Sequence, residues 1–191
     1  MRQKKRKIDR QVQKILGIVC LSFLLGTIGG AVAANLLPTG EQGRLSLFLQ
    51  GLLEEQKAAS FPALFWKYLK YDILIWLGGW MQLGLLLAGG AFLFRSIAVG
   101  FTSAMMMTTY GVKGIFLAVT SYLPQNLLLI PAYLLMMTAS IYYLLSWQEE
   151  GGKRTLKRER RRKQTEYCIL FGISVVLLAA AAGMEGILLR G

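Results

Sequence analysis

The chain has 191 residues, a formal charge of +12, 54% apolar side chains and a mean hydropathy of +0.47. Apolar mass gathered in long runs is a membrane signature, and the length allows one domain, 1–191. The absence of histidine, with only Cys20 and Cys168 in or beside apolar runs, argues against a disulfide framework and a Cys/His metal site. The predicted fold class is all-α: a polytopic integral membrane helix bundle of about five spans, with no cofactor.

The chain opens on a basic tail, 1–14, with seven Lys or Arg against one acid, Asp9. Span one follows near 15–37. Its Ala31-Val32-Ala33 also fits a signal-peptide cleavage site, so a retained span and a cleaved leader are both open.

Segment 38–72 balances four bases with four acids. Leu45, Phe48, Leu49, Leu52 and Leu53 follow i, i+3, i+4, i+7, i+8 spacing. That pattern predicts an amphipathic helix, lying on the outer membrane face, its own bundle or a partner. A second helix is predicted from Ser60 as its cap, with Pro62 in its first turn. Phe65, Trp66, Tyr68 and Tyr71 then read as an interfacial aromatic belt. Asp72 reads as an acid at the mouth of span two, near the helix dipole's positive end.

Span two is predicted near 73–94 and span three from about 96 to 112, with Arg95 as the short inner connection. Gln82 then falls mid-span, as a helix–helix hydrogen-bonding group. Gly78, Gly79, Gly84, Gly89 and Gly90 mark span two. The Gly26/Gly30 pair and Ala179/Gly183 have small-xxx-small spacing, which serves internal packing or a homodimer contact. A re-entrant or interfacial segment is predicted at 114–123, where backbone must be covered by protein or water.

The stretch LPQNLLLIPA, 123–132, breaks the apolar pattern. Pro124 can open a helix, Gln125 and Asn126 can satisfy free N–H groups there, and Pro131 kinks the early part of span four, 127–147. Pro124, Gln125 and Asn126, with Leu45, Phe48, Leu49 and Leu52, are the candidate partner-docking or structural-turn residues.

A basic loop, 148–166, carries eight Lys or Arg against four acids and precedes span five, 167–189. Its place between spans assigns it to topology and anionic lipid, not nucleic acid. Both basic blocks are expected on the cytoplasmic side, with 38–72 and the C-terminus outside. There is no phosphate-cradling loop. Acids are scarce in these predicted spans, with Glu185 close to the outer end of span five. The inventory argues against an enzyme and favours a membrane protein that binds other proteins, or a channel-like subunit.

Several segments together resemble the stage II sporulation protein M family of endospore-forming bacteria. They are the basic N-terminus, FWKYLKYDILIWLGGW, the Gly-rich LLLAGGAFLFRSIAVGF, LPQNLLLIPA, and a last span after a basic loop. Where relatives often have Leu-Pro-His-Gly with an acid three residues on, this chain has Leu123-Pro124-Gln125-Asn126 and then Leu129. The resemblance implies a scaffold in the sporulation septum, without chemistry of its own. Its implied partners are the stage II sporulation proteins D and P, which cut peptidoglycan for forespore engulfment. The rival from another class is the permease subunit of an ATP-driven transporter or extrusion complex, with a separate ATPase docked on its cytoplasmic side.

Overall fold

The computed structural model describes residues 2–38, 60–117, 123–150 and 157–188, together with positions 40, 43–45, 47 and 51. Five long helices carry the fold: α1 (Arg2–Asn35), α2 (Phe61–Gly78), α3 (Gln82–Leu117), α4 (Leu123–Glu150) and α5 (Lys157–Leu188). Four contain stretches long and apolar enough to cross a membrane: Arg10–Asn35, Leu83–Thr108, Asn126–Ser146 and Arg161–Ile187. The chain is an all-α membrane bundle. The remaining helix, α2, has 18 residues, a length of about 27 Å. It packs among α3, α4 and α5.

The predicted second and third spans are redrawn. The stretch 73–94 is not one helix: α2 ends at Gly78, a turn follows, and α3 begins at Gln82. Gln82 therefore opens a helix instead of lying within one. Arg95 is no connection either; it sits inside α3. The turn escapes a hydropathy window because Gly79, Trp80 and Met81 are no more polar than their neighbours. Glycine is required at this corner. A Cβ at Gly78 would meet the Gly84 carbonyl oxygen at 2.7 Å, and one at Gly79 would meet the Tyr167 ring at 2.8 Å.

Ser60 does precede α2, and Pro62 lies in its first turn, where a missing N–H costs nothing. The Ser60 side chain makes no capping bond; its carbonyl accepts from the amides of Ala63 and Leu64. Helix α3 is interrupted at Gly111, where φ is 56° and ψ −135°. Left-handed φ favours a residue without Cβ. Beyond this kink a separate helical stretch runs to Leu117, so 114–117 is helical and set off from the body of α3; residues 118–122 lie outside those described.

Specific contacts fix the helix directions. Phe23 meets Phe92 at 5.8 Å between ring centroids, Gly30 abuts Ile97 and Phe101, and Ala34 clusters with Ala104 and Met105. Helices α1 and α3 therefore run parallel. Tyr133 and Ser140 of α4 bond to the carbonyls of Tyr68 and Ile75, so α4 is parallel to α2. Glu185 of α5 pairs with Lys67, while Tyr167 bonds to Trp76, so α5 is antiparallel to α2. One end of the bundle thus gathers the starts of α1 and α5, the end of α4 and the α2–α3 turn.

Candidate functional site

Helix α2 presents one stripe to the interior: Leu64, Tyr68, Asp72, Ile75 and Gly78 are its buried residues. Their spacing of three and four residues is the helical period, so they share a face. Two members are polar, which makes α2 the axis of a buried polar ladder. Tyr68 is 1% exposed and Asp72 is fully buried, so neither belongs to an interfacial belt or a helix mouth. Phe65 and Tyr71 also pack on the core, and Trp66 alone of that predicted belt is exposed.

The first rung centres on Tyr68. Its hydroxyl donates to Glu185 Oε2. Its carbonyl accepts from the Tyr133 hydroxyl at 3.0 Å. Its ring lies under two cations, Lys67 Nζ and the Arg95 guanidinium, each 5.3 Å from the centroid. Arg95 also lies 5.9 Å from the Tyr133 ring centroid. Cation–π contact is strongest where water is excluded, which is how α3 accommodates an arginine in mid-helix. Lys67 Nζ stands 3.9 Å from Glu185 Oε1, with its side chain 34% exposed against 1% for the glutamate.

One turn on, Asp72 forms the second rung. Ser174 Oγ donates to Asp72 Oδ1 at 3.0 Å and lies 3.5 Å from the Ala132 carbonyl oxygen. Asp72 Oδ2 is buried without a hydrogen-bond partner. The third rung joins Ser140 and Tyr167. Ser140 Oγ donates to the Ile75 carbonyl at 2.8 Å, Tyr167 donates to that of Trp76 at 2.6 Å, and the two hydroxyls are 2.8 Å apart. Tyr143 stacks on Tyr167 at 4.5 Å and Phe171 on Trp76 at 4.9 Å, with Trp76 Nε1 buried and unpartnered.

Chemically, the ladder ties α4 and α5 to α2 with hydrogen bonds that carry full weight away from water, and α3 joins it through the Arg95 cation–π contact. It also places carboxylates inside the bundle, which reverses the expected scarcity of acids there. Ionisable groups at membrane depth are costly and mark function by default.

The sequence-derived candidates lie elsewhere. Leu45 is helical and packs on the Ala34–Met105 cluster, on the chain's own bundle. Phe48, Leu49, Leu52 and Leu53 lie outside the described residues. Pro124 and Gln125 fall in the first turn of α4, with side chains outside those described, and Asn126 follows, partly exposed. Pro131 lies inside α4, which continues past it to Glu150. Leu45 and Asn126, the two of the seven docking candidates whose side chains are described, make none of the ladder's bonds. What pointed to the ladder was periodicity: Asp72 falls on the stripe of Leu64, Tyr68 and Ile75, and Ser174 and Glu185 on that of Tyr167, Leu178 and Ala181.

The model for the family SpoIIM, stage II sporulation protein M, matches residues 19–188. No curated protein and no solved structure matches the chain. The match runs from the middle of α1 to the end of α5 and includes every rung of the ladder. The chain belongs to the stage II sporulation protein M family, a family of sporulation proteins.

Proposed function

We propose that this protein is a non-enzymatic scaffold in endospore formation. It holds peptidoglycan-degrading proteins at the septal membrane so that the mother-cell membrane can move around the forespore. Membership of the family carries this reading. The ladder is in keeping with it, because its side chains are engaged in holding helices together. The docking surfaces in this reading are the segment 38–72 and the turn near 110–126, which the positive-inside rule assigns to the outer face. The stage II sporulation proteins D and P are the proposed partners.

One observation favours the second reading, a membrane subunit of an ATP-driven complex. Asp72, Arg95 and Glu185 lie within the bundle, where transport proteins keep ionisable groups. Affinity purification in gentle detergent from cells in early sporulation separates the two. The scaffold predicts co-purifying wall hydrolases and no stoichiometric ATPase. Recovery of an ATP-binding cassette protein instead, or normal engulfment in a deletion strain, would sink it.

A further inference from the structure

A carboxylate buried at bundle depth needs a counter-charge or a proton. Asp72 has full burial, one hydrogen bond to Oδ1 and none to Oδ2. Lys67 pairs with Glu185 and Arg162 with Glu166, and among the described residues no Lys or Arg pairs with Asp72. A proton on Oδ2 would place an O–H where no hydrogen-bond partner stands, and a proton on Oδ1, shared with Ser174, would still leave Oδ2 unpartnered.

A cation resolves it. Oxygens of three helices converge here: the Asp72 carboxylate of α2, the Ala132 carbonyl of α4 and the Ser174 hydroxyl of α5. All are hard ligands. A carbonyl oxygen has a second lone pair beyond its helical bond, and the serine oxygen can coordinate while its proton stays on Oδ1. One carboxylate among neutral oxygens balances a single positive charge. Among the described residues, no group of three His, Cys, Asp or Glu is placed to hold a metal ion, which sets this oxygen set apart from a divalent or transition-metal site.

We propose that Asp72, Ser174 and the Ala132 carbonyl bind a monovalent alkali cation between α2, α4 and α5. The ion neutralises Asp72 and clamps the three helices together. This goes beyond the scaffold reading and is tested on the purified protein alone, so either can fail without the other.

The full-length protein is melted in mild detergent with sodium, lithium, potassium or choline chloride at equal ionic strength. Sodium is the reference probe. At a hundredfold excess over its Kd, a bound ion raises the melting temperature by about 5–10 °C over choline, and the rise saturates. Asp72→Asn melts at one temperature in all four salts, no lower than the wild type in choline. Ser174→Ala needs several-fold more sodium for half the effect. Equilibrium dialysis with radioactive sodium gives one ion per wild-type chain and decides the matter even if a variant does not fold. Equal melting in all four salts with no bound sodium overturns the site. So does an infrared band of a protonated carboxyl in the wild type that vanishes in Asp72→Asn, which would identify a neutral acid there.

Discussion

Tyr68 holds three helices with three different groups. Its hydroxyl reaches Glu185 of α5, its carbonyl receives Tyr133 of α4, and its ring supports Arg95 of α3. Tyr68→Phe keeps the ring and the carbonyl and deletes only the donor to Glu185. The cost is about 1–3 kcal/mol, as for a buried hydrogen bond broken from one side. Tyr68→Ala removes the ring as well and costs about 3–5 kcal/mol. The ion pair on the same glutamate is asymmetric. Glu185 is buried, so Glu185→Ala leaves a buried phenol without its acceptor and costs about 3 kcal/mol. Lys67 is far more exposed, so Lys67→Ala costs no more than about 1 kcal/mol. Glu185→Gln keeps an acceptor and falls between. Melting of the five variants in detergent checks the order. A Lys67→Ala loss equal to that of Glu185→Ala would show that charge pairing, not the Tyr68 bond, carries this rung.

Between elements, the closest approach is α1 against α3, and it depends on which glycine faces inward. A Cβ at Gly30 would meet the Ile97 carbonyl carbon and the Phe101 nitrogen, both at 2.9 Å. A Cβ at Gly100 would meet the Thr27 carbonyl carbon at 2.7 Å. At Gly29 it would meet nothing within 4 Å. Gly30→Val therefore forces backbone apart and costs about 3 kcal/mol, at the upper end of overpacking, while Gly29→Val is near neutral. Recovery of monodisperse protein after heating measures the contrast; equal losses at 29 and 30 would remove α1 from its place on α3. The Gly26/Gly30 spacing was legible in the sequence because small residues four apart point one way on a helix. The limits of α2 and α3 were not. A glycine pair followed by Trp80 and Met81 turns the chain without any polar residue to announce it. Arg95 read as a loop because charge normally marks water; two tyrosine rings supply a local substitute. The buried acids were legible only in part, since Asp72 shows its role once α2, and not a later span, sets its helical phase.

For the whole molecule, orientation follows from which ends share a side. Parity from the two basic blocks needs an even number of crossings between them; α1, α3 and α4 supply three, so this topology requires the 18-residue α2 as the fourth. The helix directions bring the start of α1, the end of α4 and the start of α5 to the end that holds the α2–α3 turn. Lysine and arginine resist translocation, so the positive-inside rule predicts that end in the cytoplasm. The turn and the arginine then make opposite predictions for the two span assignments. In a background with Cys20→Ser and Cys168→Ser, a single cysteine is placed at Met81, Arg95 or Leu36. Met81 and Leu36 are 64% and 77% exposed, at opposite ends of the bundle. Met81→Cys reacts with a membrane-impermeant maleimide only from the cytoplasmic face, and Leu36→Cys only from the other. Arg95→Cys reacts from neither, because it lies inside α3 among aromatic rings and lipid. A helix continuous over 73–94 with a loop at 95 gives the reverse: position 95 is labelled from the cytoplasm and position 81 is protected. That result would move Arg95 out of the bundle, take the cation from above Tyr68 and dismantle the first rung of the ladder.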